Sequence, residues 1–268
     1  MPERRLDVRG RSVVVTGAAG GIGAALALRF GQAGASVSLL DRDADGLEAV
    51  AGKLDRLGAL GTVAVCDVTD LDACGRAVDA VTADAGGVDV LVNNAGVTHV
   101  SAFADTDVDV LRRVVDVNLF GAVNLTSVAL PTLLARRGQI VVLSSVAGFA
   151  PLALRCGYAA SKHALHGCFE SLRTELLGTG VGVTMVCPSF VRTAIGDHAL
   201  GGDGAPATAT RREVGRAMDP ADVADAIFGA TIRRRRLLLP SPTAKLSYAV
   251  SRLAPARFER SMARRVLG

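Results

Sequence analysis

The chain has 268 residues, of which 50% are hydrophobic, and its net charge at neutral pH is +4. This length suits one large α/β domain or two small ones, with enough apolar material for a sizeable core. The N-terminal residues contain no apolar signal-peptide core, and no apolar run approaches the roughly 20 residues that cross a bilayer. The five cysteines form no CxxC pair and the histidines have no metal-ligand spacing, so we expect a cytoplasmic protein without a metal site.

Positive charge is concentrated in the C-terminal region. Residues 233–268 contain ten lysines and arginines and one glutamate, a net charge of +9, which leaves −5 for the rest of the chain. A basic run can indicate nucleic acid, but no aromatic stacking residues are interleaved with the basic ones across a face. We therefore expect no nucleic-acid partner. The basic region is expected instead to contact a membrane surface, the body of the protein or a neighbouring subunit.

A glycine-rich turn near the N-terminus predicts a dinucleotide-binding site. It follows Ser12–Thr16, whose β-branched and apolar composition is typical of a buried parallel strand, and it precedes a helical sequence. Glycines let the backbone approach a pyrophosphate, and the helix N-terminus offers free N–H groups. The spacing TGxxxGxG also leaves a structural turn as the alternative. The candidate cofactor-binding residues of this turn are Gly17, Ala19, Gly20, Gly21, Ile22 and Gly23.

The next predicted strand, residues 36–40, ends at an acidic residue. Asp41 lies about 20 residues past the glycine turn, where a carboxylate can accept hydrogen bonds from the adenosine ribose. A carboxylate there repels a 2′-phosphate and favours NAD, whereas Arg42 would pair with that phosphate and favour NADP. We favour NAD, with NADP as the alternative, because Asp41 stands at the strand end itself. A second alternative is that residues 41–45 simply cap the following helix.

Two further strands extend the same pattern. The strand at residues 62–66 runs into Asp67 and Val68, and the strand at residues 88–92 runs into Asn94, Ala95 and Gly96. Strands that alternate with helices predict an α/β fold, a single-domain, doubly wound parallel sheet of the Rossmann type. Ligands of such sheets bind beyond the carboxyl ends of the strands. We therefore expect the glycine turn, Asp41, Asp67 and the Asn94 segment to meet in one cofactor crevice.

The stretch YAASK predicts acid–base chemistry. Tyr158 and Lys162 are four residues apart and lie on one face if the stretch is helical. A phenol with its usual pKa of about 10 is a poor base at neutral pH, but a nearby ammonium lowers that pKa by roughly 1–3 units. Such a pair can move the proton that alcohol oxidation or ketone reduction requires. Taken alone, a tyrosine and a lysine at this spacing are more often a solvated helix face.

Seven motifs together resemble the short-chain dehydrogenase/reductase family. These motifs are TGAAGGIG, CDV, NNAG, VNLFG, SS before AG, YAASK and CPSFVRT, in the family's order over roughly residues 11–230. Residues 158–193 most resemble the branch of steroid- and lipid-type carbonyl reductases that contains 11β-hydroxysteroid dehydrogenase. The resemblance implies an oxidoreductase that transfers a hydride between NAD(P) and a secondary alcohol or ketone, here a lipophilic one. A catalytically silent NAD(P)-binding regulator on the same fold is the alternative.

The resemblance also implies the roles of four residues. Ser145 lies thirteen residues before Tyr158, which is the family spacing, so Ser145 rather than Ser144 hydrogen-bonds the substrate oxygen. Tyr158 transfers the proton, and Lys162 lowers the tyrosine pKa and holds the nicotinamide ribose. Asn118 positions a water that links Lys162 to solvent.

Further expectations concern the nicotinamide and the oligomer. Pro188, Val191 and Thr193 match the PGxxxT segment that contacts the carboxamide, although Ser189 stands where the family usually has glycine. This departure bears on the local backbone geometry, since glycine adopts conformations that serine does not. The resemblance implies a homodimer or homotetramer that pairs the helices around residues 107–134 and 158–177.

The substrate pocket is predicted beside the catalytic stretch. The apolar segment 149–157 adjoins Ser145 and Tyr158, so Leu152, Leu154 and Cys156 are candidate substrate-binding residues. Residues 194–215 are rich in Gly, Ala and Thr and predict a mobile lid over the substrate. An ordinary surface loop is the alternative for this segment.

We divide the chain into a dinucleotide-binding domain at residues 1–240 and a basic, amphipathic helical extension at residues 241–268. Leu246, Val250 and Leu253 have helical spacing, and so do Phe258, Met262 and Val266 after Pro255. A helix with an apolar stripe and a cationic face can lie in a membrane interface. The extension therefore predicts a weak peripheral contact with anionic membranes, or else packing of its stripe on the body or on a neighbouring subunit.

Overall fold

The computed structural model describes residues 5–208 and 217–266. Its centre is a seven-stranded parallel sheet with the strand order β3-β2-β1-β4-β5-β6-β7. The strands are β1 Ser12–Thr16, β2 Ser36–Asp41, β3 Leu60–Val65, β4 Val90–Asn93, β5 Gln139–Leu143, β6 Gly182–Val186 and β7 Leu237–Leu238. The order reverses direction between β1 and β4, which is where a doubly wound sheet opens a crevice for its ligand. The predicted fold class is confirmed.

Helices cover both faces of this sheet. They are α1 Gly21–Gln32, α2 Ala44–Asp55, α3 Leu71–Ala85, α4 Val108–Val115, α5 Gly121–Arg136, α6 Cys156–Glu175, α7 Pro220–Ile232, α8 Pro242–Leu253 and α9 Pro255–Val266. Residues from α1, α2 and α7 form one core with the sheet, and residues from α3, α5 and α6 form the other. The central strands are buried on both sides, which explains their nearly unbroken apolar sequences.

Helix boundaries follow the capping chemistry of the sequence. The Asp70 and Asp219 carboxylates accept hydrogen bonds from Ala73 N and Ala221 N at the starts of α3 and α7. Ser241 does the same for α8, where its hydroxyl accepts from Ala244 N at 3.0 Å. Pro255 occupies the first position of α9, where a missing N–H costs little. Pro255 therefore separates two helices and also begins the second.

Residues Val108–Arg136 are helical without a break and include a π-helical turn at Asp116–Phe120. By length and composition alone this stretch is apolar enough to cross a membrane. Within the fold, however, its buried residues Leu125, Ala129 and Leu133 belong to the core beneath the sheet. Packing in this structure therefore accounts for part of its apolar composition, while Val108, Phe120 and Leu134 stay exposed.

The segment after Thr193 is held in place as far as the structure describes it. Leu200 N donates to Thr98 O at 2.9 Å, and Val100 N donates to Leu200 O at 2.8 Å. Asp107 N also donates to Gly202 O at 2.8 Å. Hydrogen bonds therefore join residues 194–208 to the segment before α4, and a lid over the substrate stays a prediction. The remainder of the predicted lid, residues 209–215, lies outside the described residues.

Candidate active site

The glycine turn between β1 and α1 is shaped by close backbone contacts. Gly17 has φ +63° and contacts Asn94, whose side-chain amide donates to the carbonyls of Thr16 and Gly17 at 2.9 and 3.1 Å. A Cβ on Gly23 would lie 2.0 Å from Gly17 O, so a side chain cannot be accommodated there. The sequence therefore needs glycine at both ends of the turn, and Asn94 from the end of β4 fastens it.

The N-terminus of α1 fits a pyrophosphate. The α1 N-cap, Gly20, offers no side-chain cap, and the first turn contains no acidic residue, so no side chain of the helix itself occupies its first N–H groups. A Cβ added to Gly20 would meet nothing within 4 Å, which leaves open space at this end of the helix. Free N–H groups at a positive helix end are suited to phosphate oxygens.

Asp41 lies beside this turn at the end of β2. Its two carboxylate oxygens accept hydrogen bonds from Ala19 N at 3.0 Å and from Asp43 N at 3.1 Å. Its contact with Ala19 places negative charge next to the predicted pyrophosphate site, while Arg42 beside it is exposed. Asp43, not Asp41, caps α2 by accepting from Gly46 N at 3.1 Å. Asp43 is therefore the residue that caps the helix, and the Asp41 carboxylate lies beside the predicted cofactor crevice.

The loops after β3 and β4 lie beside the glycine turn and form another wall of the predicted cofactor crevice. Hydrogen bonds from the backbone and side chain of Thr69, at 2.9 and 2.8 Å, lower the pKa of the Asp67 carboxyl. Asn124 fixes the next residue by donating to Val68 O at 3.0 Å. After β4, Ala95 N donates to Thr16 Oγ1 at 3.0 Å, which joins this loop to β1. The residues predicted from four strand ends therefore lie along one edge of the sheet.

Asn118 occupies the π-helical turn and is buried. Its amide oxygen accepts from Val97 N at 2.8 Å, and its amide nitrogen donates to Val97 O at 3.0 Å and Ser161 Oγ at 2.9 Å. These bonds join the Asn118 side chain to the loop after β4 and to α6. A Cβ on Gly96 would lie 3.0 Å from Asn118 Oδ1 and 3.6 Å from Lys162 Nζ, so the backbone passes closely between them. The π-helical turn thereby brings the Asn118 side chain close to the Lys162 side chain, beside Gly96.

Lys162 carries its ammonium group in the protein interior. Its side chain lies on α6, and Nζ donates to Leu143 O at 2.8 Å and lies 5.7 Å from the centre of the Tyr158 ring. Burial disfavours the charged form and lowers the pKa of Lys162 to about 8, although the neighbouring Cys187 acts in the opposite direction. Among the described residues it has no carboxylate partner. An ammonium has three donors, so hydrogen-bonding capacity remains for ribose hydroxyls.

The two serines at the end of β5 have different surroundings. Ser144 is buried, and its hydroxyl donates to Lys162 O at 3.2 Å, which ties α6 to the sheet. Ser145 Oγ accepts from Ala147 N at 3.2 Å and also lines a cavity that Tyr158 faces. Of the two hydroxyls, the one on Ser145 is therefore placed to reach a substrate oxygen.

A buried histidine, which the sequence patterns did not single out, fixes the start of α6. His99 Nε2 accepts from Gly157 N at 3.0 Å, and Nδ1 is 3.2 Å from Ser101 Oγ. Burial lowers the pKa of His99, so the ring stays neutral and can keep accepting at Nε2. Gly157 precedes Tyr158, and a Cβ there would lie 2.8 Å from the Leu111 side chain. Nothing in the sequence spacing links residue 99 to residue 157, so the fold alone reveals this support.

Ser145 and Tyr158 open into a cavity of about 640 Å³. Its far wall comes from the C-terminal helices: α8 contributes Leu246 and Val250, and α9 contributes Phe258 and Met262. Tyr248 holds α8 against the body through an edge-to-face contact with Phe149, with ring centres 5.0 Å apart. Four residues of the predicted apolar stripe therefore line the cavity, whereas Leu253 does not line it and is 86% exposed.

The predicted substrate residues divide into two groups. Leu152 lines the cavity together with Ser145 and Tyr158, whereas Leu154 and Cys156 are not on its wall. Leu154 adopts a left-handed backbone conformation with φ 63°, and its carbonyl accepts from Ser101 N at 3.0 Å. Cys156 is instead the first residue of α6. The chain reverses between Leu152 and α6, so alternate apolar residues do not share one surface.

The segment after β6 reaches both the cofactor turn and the tail. Pro188 O accepts from Val146 N at 3.1 Å, and Val191 pairs with Met218 in an isolated β-bridge. Thr193 approaches the glycine turn, since a Cβ on Gly21 would lie 3.1 Å from Thr193 Cγ2. Ser189, the departure from the family pattern, shares a hydrogen bond of 2.8 Å with the Ser241 hydroxyl that caps α8. This serine therefore connects the predicted carboxamide segment to the tail.

Comparison with known proteins supports this arrangement. Residues 11–200 match the family model of short chain dehydrogenases. The chain is 36% identical over 269 residues to dehydrogenase/reductase SDR family member 7B of Bos taurus, covering 97% of this chain and 83% of that protein. It is also 36% identical to dehydrogenase/reductase SDR family protein 7-like of Anopheles gambiae, covering 93% of this chain and 81% of that protein.

Solved structures show the same fold. A short-chain dehydrogenase/reductase from Burkholderia phymatum in complex with NAD superposes with a TM-score of 0.82 at 28% identity, and 96% of each chain is covered. A short-chain dehydrogenase from Mycobacterium paratuberculosis bound to NAD gives a TM-score of 0.78 at 25% identity, covering 87% of this chain and 97% of that one. The resemblance to the steroid- and lipid-type branch stays a prediction. The family match and the relatives show that the chain belongs to the short-chain dehydrogenase/reductase family of NAD(P)-dependent oxidoreductases.

Proposed function

We propose that the protein uses NAD to interconvert a lipophilic secondary alcohol and its ketone. The observation that carries this proposal is the cavity that joins Ser145 and Tyr158 to the apolar faces of α8 and α9. Pockets lined by apolar residues with few polar groups at one end bind ligands of matching polarity. A substrate with its oxygen at Tyr158 and an apolar body along the tail would satisfy both ends.

The proposed roles of the side chains follow from their positions. The Ser145 and Tyr158 hydroxyls hydrogen-bond the reacting oxygen, and Tyr158 gives or takes its proton. The Lys162 ammonium, 5.7 Å from the ring centre, stabilises the phenolate and hydrogen-bonds the nicotinamide ribose. Asn118 holds the loop after β4 against α6 and so positions Lys162. The nicotinamide supplies or accepts the hydride when it is bound.

The preference for NAD rests on Asp41. Its carboxylate accepts from Ala19 N within the predicted pyrophosphate-binding turn, so a nearby 2′-phosphate would meet a negative charge. The two similar solved structures are described as bound to NAD. Tighter binding of NADP than of NAD to the unmodified protein would contradict the preference.

The test of the proposed function is a panel of secondary alcohols and ketones, followed by the absorbance of the reduced nicotinamide. Each substrate is tried with NAD and NADP in the direction of oxidation and with their reduced forms in the direction of reduction. We expect turnover of apolar substrates with NAD or NADH and little turnover of small, polar ones. The absence of turnover with every substrate and both nucleotides would contradict the proposal.

An oligomer is also proposed, on the basis of apolar side chains that this single chain leaves exposed. Val108, Phe120 and Leu134 lie on the helical stretch from α4 to α5, and Leu177 follows α6. Exposed apolar groups on adjoining helices are typical of surfaces that a second copy covers. We expect a homodimer or homotetramer by light scattering at micromolar concentration. A monomer under those conditions would be the contrary result.

A second proposal is a cytoplasmic protein with weak affinity for anionic membranes. The observation that favours it is an exposed apolar residue on a basic tail: Leu253 is 86% exposed and does not line the cavity, and Arg260 and Arg264 are exposed on α9. Each basic residue near an anionic surface contributes about 1 kcal/mol. We expect sedimentation with anionic but not neutral vesicles at low salt, and less of it for the Arg260→Gln/Arg264→Gln variant. Equal sedimentation with both vesicle types would contradict it.

A further inference from the structure

Charge on the wall of the active-site cavity is of one sign. Arg155, Arg257 and Arg265 are among the residues that line it, and no aspartate or glutamate is among the described residues on that wall. Arg155 is engaged near the catalytic end, where its guanidinium donates to Thr98 Oγ1 at 3.0 Å. The other two arginines project from α9, on the side of the cavity formed by the tail. The cavity therefore combines an apolar middle with a cationic end.

The two arginines of α9 have no carboxylate partner within the described part of the chain. The ion pairs found there involve neither Arg257 nor Arg265, and Glu259 on the same helix takes part in none of them. Their charge is thus available to a ligand that enters the cavity. Unpaired arginines on a surface are common, so the position of these two, on the wall of the active-site cavity, is what gives them significance.

A second hollow of about 420 Å³ adjoins the first at the same place. It shares Arg257, Ser261 and Arg265 with the active-site cavity and is otherwise lined by Arg260 and Arg264. Four arginines and one serine therefore line a space next to the apolar cavity. Guanidinium groups bind carboxylate and phosphate oxygens through paired, charge-assisted hydrogen bonds.

We propose that the cavity binds an anionic amphiphile, with its carboxylate or phosphate held by Arg257 and Arg265. Its apolar chain lies along Phe258, Met262 and the inner face of α8, and its ketone or secondary alcohol carbon reaches Tyr158. This inference rests on the proposed function and adds to it the charge of the substrate and the end at which that charge is recognised. A neutral analogue of the same length fills the apolar middle but leaves the arginines unpaired.

The binding test needs no turnover. Decanoate and decanol are titrated into the protein by calorimetry, at concentrations below those at which they form micelles. We expect decanoate to bind more tightly than decanol. The Arg257→Gln/Arg265→Gln variant should weaken decanoate binding by about two- to thirtyfold, given roughly 0.2–1 kcal/mol for each of two exposed ion pairs, and leave decanol unchanged. The matched control is Arg233→Gln/Arg235→Gln, which removes the same charge from exposed residues outside the cavity.

The activity test compares three ketones of equal length. They are a long-chain (ω−1)-keto carboxylate, its methyl ester, and the analogue that ends in a quaternary ammonium group. We expect the lowest KM for the carboxylate, and a loss of that advantage in Arg257→Gln/Arg265→Gln but not in the control. Equal KM values for acid and ester, unaltered by the variant, would overturn the inference while leaving the proposed function standing. No reduction of any of the three, together with tighter binding of decanoate, would instead contradict the proposed function.

A final experiment distinguishes a ligand bound from solution from a lipid bound at a bilayer surface. The acid and ester are compared without vesicles and then with anionic vesicles present. We expect the preference for the acid in the absence of vesicles, since the arginines face the cavity. A preference that appears only with vesicles would show that the membrane surface, not the cavity, supplies the selectivity, and would overturn the inference.

Discussion

We expect a single buried residue, Lys162, to limit the activity of the site at high pH. Its side chain is 4% exposed, and burial lowers its pKa to about 8. Below that pH the ammonium form is present and can stabilise the tyrosine phenolate and bind the ribose. Above it, the lysine is neutral, and both interactions weaken. The pH dependence of kcat/KM for a cofactor reports the pKa values of ionising groups in the free enzyme.

We therefore expect kcat/KM for NADH in ketone reduction to fall as pH rises through about 8, by up to tenfold per pH unit. An initial-rate profile on a verified ketone provides the measurement. The variant Lys162→Arg, whose guanidinium stays charged, should be less active but should lose this decline. A wild-type profile that remains level through pH 10, about two units above the pKa, would contradict the assignment of Lys162.

Tyr158 supplies the second residue-scale prediction. The substitution Tyr158→Phe removes the proton donor and keeps the ring that packs in α6. Since general acid–base catalysis is worth about 10²–10⁴-fold, turnover should fall by that amount with NADH affinity unchanged. Fluorescence titration of NADH serves as the control for the cofactor site. Wild-type turnover in the variant would show that another group moves the proton.

The third residue-scale prediction concerns Asp41. The substitution Asp41→Asn removes the negative charge but keeps one side-chain oxygen that can accept from Ala19 N. It therefore removes the repulsion of a 2′-phosphate. That repulsion is worth about 1–4 kcal/mol at close range, so the ratio of NADP to NAD affinity should rise at least about fivefold. Arg42→Gln should shift the ratio in the opposite direction. An unchanged ratio in Asp41→Asn would place the cofactor choice elsewhere.

Some residue-scale features were predictable from sequence and others were not. The glycine turn and the Tyr158–Lys162 pair are local patterns whose geometry follows from strand, turn and helix periodicity. His99 is a lone histidine in sequence, and its bond to Gly157 spans 58 residues. Leu154 and Cys156 were predicted to line the pocket from apolar character alone. Apolar character does not report the left-handed turn at Leu154 that separates them from Leu152.

At the scale of elements, the buried strands and capped helices were the most predictable. Helix α3 has clear sequence signals at both ends, because Asp70 caps its start and Gly86 ends it in a left-handed conformation. Strands β3 and β4 are displaced by one or two residues from the predicted ranges. Their ends are set by pairing with β2 and β1, which the local sequence does not encode.

The tail illustrates what periodicity leaves undecided. Helical spacing predicted an apolar stripe in residues 241–253 and 256–267, but a stripe does not specify the surface that covers it. In the structure, Phe258 and Met262 face the active-site cavity, and Ser189 and Ser241 join the tail to the body. The tail is therefore a wall of the candidate site, and Ser189 has a specific contact where the family pattern has glycine.

An element-scale prediction tests this wall. The variant Ser241→Ala removes the N-cap of α8 and the bond to Ser189, at a cost of about 0.5–2 kcal/mol. We expect faster tryptic cleavage within α8 and α9 and a higher KM for apolar ketones, with kcat little changed. The control is Ser251→Ala, whose hydroxyl donates only to the Tyr248 carbonyl within α8. Identical cleavage rates and KM values in the two variants would show that the cap does not hold the wall.

At the scale of the whole molecule, the sheet brings the reacting groups together and the tail limits what reaches them. Carboxyl ends of β1, β2, β3 and β4 form the predicted cofactor crevice. Ser145 follows β5, and helix α6 carries Tyr158 and Lys162. The helices α8 and α9 then close the remaining side with apolar residues. We propose that this combination makes a ketone and alcohol oxidoreductase for substrates with a long apolar body.

A chain-length series of methyl ketones tests that claim most directly. The measurement is kcat/KM with NADH for wild type and for Tyr158→Phe as the chain lengthens. Burial of each methylene contributes up to about 0.8 kcal/mol, so kcat/KM should rise by about two- to fourfold per methylene until the cavity is full, and Tyr158→Phe should be about 10²–10⁴-fold less active at every length. Short ketones reduced as efficiently as long ones, or wild-type activity in Tyr158→Phe, would contradict it.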